Sequence, residues 1–147
     1  MRDHLMIDIE TLGTRPGSVI VSIGAVAFDP NERPGSFGDT FYVNVLARDC
    51  GALGMLTDEA TLKWWDLPEN AAARKRLESN PKPVPLKQAL GDFFKFVCGR
   101  MQAERSSAAY PVWGHGCSFD LVLIEEAARV VGLPVPWSFR DHRDTRT

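Results

Sequence analysis

The sequence predicts a mixed α/β layer structure, and three observations carry the prediction. Three strand-like segments come first, a series of helical periodicities follows, and a fourth strand then feeds directly into another helix. The chain has 147 residues and is 44% hydrophobic, which is enough apolar material for a sizeable core in one domain, residues 1–147. Charged residues make up 24%, close to the ordinary globular value, so disorder is not indicated.

Residues 4–9 read as a short buried strand. Gly13, Thr14, Arg15, Pro16 and Gly17 supply turn chemistry, after which residues 19–28 read as a long strand. Residues 29–36 are a loop by composition and residues 39–45 a third strand, so the three form an antiparallel meander. A helix then starts with Thr57 as N-cap and Asp58 and Glu59 in its first turn. It runs through Leu62, Trp64 and Trp65 until Pro68 stops it. Residues 70–78 read as a second short helix whose Arg74-Lys75-Arg76 run reads as a solvated face rather than a binding patch.

Residues 79–85 hold Pro81, Pro83 and Pro85 and read as neither helix nor strand. A third helix covers 86–101, with Leu90, Phe93, Phe94 and Val97 at helical spacing as core. Residues 102–109 are a polar connector and 110–114 a fourth strand. A helix over 118–131 carries Leu121, Ile124, Ala128 and Val131 as its apolar stripe and is closed by Gly132. The chain closes with Leu133-Pro134-Val135-Pro136-Trp137 and a polar tail over 140–147.

A net charge of −2 and a pI near 5.9 exclude a basic module that coats nucleic acid. They do not exclude an enzyme whose carboxylates are neutralised by metal when it meets a phosphodiester. Cys50, Cys98 and Cys117 are widely spaced with no C-x-x-C pair, which points away from a zinc knuckle or disulfide framework and towards reduced thiols in a cytoplasmic protein. No apolar segment is long enough for a signal peptide or a membrane span, so no membrane partner is expected.

Two stretches carry chemistry. In the first, Asp8 and Glu10 alternate with Ile7 and Ile9, so on a strand the two carboxylates share one face. Two like charges side by side are unfavourable unless something positive lies between them. One reading is an edge strand with one solvated face; the other is a pair binding Mg²⁺ or Mn²⁺, which prefer hard carboxylate oxygens. In the second stretch, Trp113-Gly114-His115-Gly116 turns a strand into a helix whose first turn holds Asp120. The helix dipole alone favours an acid there. Alternatively, Asp120 faces Asp8 and Glu10 and completes a cluster able to hold two metal ions about 3.5–4 Å apart.

The ordered set Asp8-Ile9-Glu10-Thr11, Ile23-Gly24-Ala25-Val26 and Trp113-Gly114-x-Gly116-x-x-Phe119-Asp120 resembles the DnaQ-like (DEDDh) 3′-5′ exonucleases of the ribonuclease H-like superfamily. Ser22, Thr61-Leu62-Lys63-Trp64-Trp65 and Arg143-Asp144-Thr145-Arg146-Thr147 look like the small bacterial and phage 3′-5′ exoribonuclease group within it. The resemblance runs from about Leu5 to the last residue. It implies a ribonuclease H-like α/β fold, a mixed central sheet with antiparallel first three strands flanked by helices. It also implies that Asp8, Glu10 and Asp120 are catalytic and bind two divalent ions, Mg²⁺ or Mn²⁺. Thr11 and Leu12 match the place where such enzymes contact the 3′-terminal nucleotide, with Leu12 against the last base; the other reading of Leu12 is an ordinary turn hydrophobe. The implied reaction hydrolyses terminal phosphodiesters of RNA or single-stranded nucleic acid by a metal-activated water, releasing nucleoside monophosphates.

His115 stands where related sequences often carry Asn and, with Phe119, is assigned to substrate binding; a plain polar loop residue is the alternative for His115. The family's last helix, with a general-base His and a fourth acid five residues on, has no counterpart before Thr147. The expectation is therefore a domain truncated at its C-terminus, with Asp144 in a strand-to-helix connection. The competing class is a catalytically incompetent exonuclease-like domain that binds nucleic acid or a protein partner. Of Trp64 and Trp65, one should face inward, leaving the other for a base or a subunit contact. Relatives often form dimers, for which residues 57–78 offer a surface. Arg140, His142, Arg143 and Arg146 are either phosphate contacts or a frayed terminus.

Overall fold

The computed structural model of the chain describes residues 4–103 and 110–146; of the connector expected over 102–109, residues 102 and 103 instead extend a helix and 104–109 lie outside the described residues. Strands β1 (His4–Thr11), β2 (Ile20–Phe28), β3 (Thr40–Asn44), β4 (Val112–Gly114) and β5 (His142–Asp144) form one sheet in the order β3-β2-β1-β4-β5. The β1–β2 and β2–β3 pairs are antiparallel, whereas β4 joins β1 and β5 joins β4 in parallel. This five-stranded mixed sheet with flanking helices has the expected ribonuclease H-like form, its antiparallel meander included.

The alternation read in β1 decides which face is covered. Leu5, Ile7 and Ile9 point inward and are buried, opposite Ala27, Ala25 and Ile23 of β2. They pack with Leu90, Phe93 and Val97 of α4 (Leu86–Ala103) and with Leu121, Ile124 and Ala128 of α5 (Cys117–Val131), so one core lies between the sheet and this helix pair. The opposite face carries His4, Met6, Asp8 and Glu10. There Asp8 is level with Gly24 and Tyr42, and Glu10 is level with Ser22 and Asn44.

Two helices sit beside that second face, α2 (Glu59–Trp65) and α3 (Ala71–Ser79). The N-cap of α2 is Asp58 and not Thr57: its carboxylate accepts from the Thr61 amide at 2.7 Å, and its own amide donates to the Leu12 carbonyl at 2.9 Å. A carboxylate one residue nearer the helix makes the same cap with a charge added, and it ties α2 to the end of β1. Trp65 is buried and Trp64 is half exposed, as two adjacent helical positions require.

Two elements escape the sequence reading. The short helix α1 (Ala47–Ala52) buries Cys50, and its Asp49 accepts from the Leu86 amide at 2.8 Å, which seats the start of α4. The tail is not frayed over its described part. Ser138 and Asp141 form a reciprocal capping box, and β5 then completes the sheet edge. His142 Nε2 lies 2.7 Å from Glu125 Oε1, which also accepts from Trp137 Nε1 at 2.9 Å, so the tail is fastened to α5. Among the described residues no helix is long and apolar enough to cross a membrane.

Candidate active site

β4 ends at Gly114 while β1 runs on to Thr11, which leaves the Ile9 amide beyond the last β4 partner. A buried amide needs an acceptor. Asp120, in the first turn of α5, supplies one: its Oδ1 accepts from Ile9 N at 3.3 Å, placing the carboxylate beside the residue that separates Asp8 from Glu10. Close approach here requires Gly114, where a Cβ would lie 3.1 Å from Asp120 Oδ2 and from the Cys117 Cα.

The three acids share one electrostatic environment. Asp120 is buried, and its carboxyl is pushed up to about 6 by burial first and by the Asp8 charge second, with backbone amides pulling it partly back. Burial also raises Glu10, with the charges of Asp8 and Asp120 adding to the effect. Asp8 is raised by burial and partly relieved by His115. Burial leads in all three, and for Glu10 and Asp120 the charge of a neighbouring carboxylate adds to it. Among the described residues no three His, Cys, Asp or Glu side chains converge closely enough to hold a metal ion. The three acids are neighbours electrostatically, with Asp120 turned onto the Ile9 amide.

The other predicted site residues are placed as follows. Thr11 is buried; its hydroxyl donates to the Gly13 carbonyl at 2.6 Å, and its carbonyl accepts from Trp65 Nε1 at 2.8 Å. Leu12 and Trp65, with Leu62 and Leu46, line an apolar cavity of about 480 Å³. Phe119 is half-buried against the core. His115 is exposed, with Nδ1 2.8 Å from the Thr145 hydroxyl.

Asp144 lies in β5 itself, not in a connection leading away from the sheet. Its Oδ1 accepts from Gly116 N at 3.1 Å and its Oδ2 from Cys117 N at 3.2 Å, so it satisfies the first amides of α5. Those amides, and first the Arg146 amide, hold its carboxyl below the usual range. Gly116 has φ +94°, and a Cβ there would meet the Arg146 guanidinium at 3.2 Å. The polar tail thus clamps the loop that carries His115 and aims Asp120. Asp144→Ala is expected to speed hydrogen exchange at the Gly116 and Cys117 amides roughly tenfold, with exchange across β1–β2 unchanged. Unaltered exchange at those two amides would show that Asp144 does not hold the loop.

Over residues 3–147 the chain matches the model of a family described as the 3′-5′ exoribonuclease Rv2179c-like domain. The chain belongs to this family. No curated protein matches it. Membership places the chain in the small 3′-5′ exoribonuclease group and is consistent with the DEDDh superfamily.

Proposed function

We propose that the chain is a metal-dependent 3′-5′ exonuclease hydrolysing terminal phosphodiesters of RNA or single-stranded nucleic acid to nucleoside monophosphates. The observation that carries this reading is geometric: Asp8 and Glu10 share one face of β1, and Asp120 from α5 is held on the amide of Ile9 between them. Their hard oxygens suit Mg²⁺ or Mn²⁺, and holding two such ions would require the three side chains to draw closer together than they stand here, with Asp120 turning from the Ile9 amide. When bound, the ions supply Lewis-acid stabilisation of the phosphoryl oxygens and a nucleophile at neutral pH. Around them the protein's own groups orient the substrate. Leu12 takes the last base in the apolar cavity, Thr11 fixes the turn beneath it, and His115 and Phe119 flank the second acid motif.

Three cysteines with no disulfide fit a cytoplasmic setting. A homodimer contact through residues 57–78 is part of the same reading, since Leu62, Trp64 and Leu67 are exposed there.

The test follows an RNA with a 3′ overhang and a single-stranded DNA, each labelled separately at either end, in Mg²⁺ or Mn²⁺. Shortening from the 3′ end is expected, abolished by EDTA and reduced at least about 10³-fold by Asp8→Ala, the loss of several kcal/mol of metal stabilisation. Tight binding without shortening would favour the incompetent, binding-only domain. Neither binding nor metal uptake would sink both readings.

A further inference from the structure

A second cavity, of about 550 Å³, opens directly beside the acids. One wall is the outer sheet face with Asp8, Glu10, Gly24 and Tyr42; the other is α3, from which Arg76 lines the cavity. The Arg74-Lys75-Arg76 run, read from sequence as one solvated face, is divided by the fold. Arg74 pairs with Asp66 at 3.2 Å. The Arg76 guanidinium makes no hydrogen bond or ion pair among the described residues, although the cavity it lines also contains two carboxylates.

The frame around that free guanidinium is fixed. Asn44 is fully buried and donates from Nδ2 to the Arg76 carbonyl at 2.9 Å and to the Pro81 carbonyl at 2.8 Å. Tyr42 donates its hydroxyl to Asn44 Oδ1 at 2.8 Å and leaves its ring half exposed. Gly24, level with both Asp8 and Tyr42, leaves the sheet bare between them. The cavity therefore has an acidic end suited to cations, an open floor, an aromatic flank suited to stacking, and one unpaired planar cation.

We propose that Arg76 anchors a backbone phosphate of the bound strand, the one immediately 5′ of the bond placed at Asp8 and Glu10. This rests on the exonuclease reading and extends it, since it makes a phosphate beyond the scissile one part of substrate recognition. A guanidinium fits a phosphate through two parallel N–H donors. Across from two carboxylates, it also offsets the repulsion they exert on an incoming polyanion.

The test compares the wild-type chain with Arg76→Gln and Arg76→Lys. The probes are a short single-stranded RNA with a phosphorothioate at its last linkage and a dinucleotide with and without a 5′-phosphate. Wild type is expected to prefer the 5′-phosphorylated dinucleotide about tenfold, and Arg76→Gln to lose that preference. For the RNA, the slope of log affinity against log salt should fall by about 0.7 in Arg76→Gln and be regained in Arg76→Lys. An unchanged slope or a retained 5′-phosphate preference in Arg76→Gln overturns the assignment, while 3′ shortening by wild type still upholds the exonuclease reading. A wild type that neither binds nor shortens RNA overturns both.

Discussion

Replacing Asp120 by Asn is expected to stabilise the metal-free protein at pH 7 and, in the same variant, to remove its metal response. The stability effect follows from linkage. An acid with a midpoint of 3.8 when unfolded and about 6 when folded binds its proton more tightly in the native state. Its favourable contribution is fully present below the unfolded value. It is lost as pH rises through the window from about 4 to about 6, and above that window the penalty is constant. The size is up to about 3 kcal/mol, and Asn, which keeps an acceptor for the Ile9 amide, should recover much of it. Urea unfolding of the metal-free chain from pH 4 to pH 8 measures this: the wild type should lose stability across that window and Asp120→Asn should lose much less. Glu10 and Asp8 are also raised, chiefly by burial, and act with the same sign.

Adding Mg²⁺ or Mn²⁺ should reverse the ranking. A cation bound only by the native state stabilises it in proportion to the logarithm of its saturation. The wild type then gains from relief of repulsion that the variant never had. A thermal midpoint that rises with metal equally in both proteins would remove Asp120 from the metal site. A variant less stable than wild type at pH 7 without metal would instead show that the charge is not penalised there.

Much of this site was readable because strand geometry is strict. With a period of two, the strand can bury Leu5, Ile7 and Ile9 only by placing Asp8 and Glu10 on the other face, as the fold does. Asp120 was legible as an acid after a turn, and the ordered motifs then supplied its partner strand. The unread parts depend on contacts distant in sequence. Asp144 is one of two acids in a polar tail until β5 pairs with β4 and presents it to the first amides of α5. Helix α1 spans six residues, too short for periodicity to register. Arg76 differs from Arg74 only through what each meets. Tyr42 and Asn44 did carry a local signal, two polar positions alternating on a strand, which marked a face covered by something other than the core.

That covered face yields the second large effect, loss of the cavity wall in Asn44→Ala. Helix α3 buries none of its residues fully, so packing alone holds it weakly. What fastens its C-terminal end to the sheet is a fully buried amide group spanning from β3 to the Arg76 and Pro81 carbonyls. Alanine leaves both carbonyls without that donor and Tyr42 without its acceptor. The expected cost is about 3 kcal/mol, or roughly a 10 °C fall in the thermal midpoint of a chain of this size. The loss should be local in its dynamics: amides over residues 71–79 exchange faster, whereas those of α4 and α5, anchored in the core, keep their relative protection. Because the same contact positions Arg76, Asn44→Ala should also weaken RNA binding without altering metal uptake at the acids. Uniform loss of protection throughout the chain, or an unchanged thermal midpoint, would show that α3 is held by something other than Asn44.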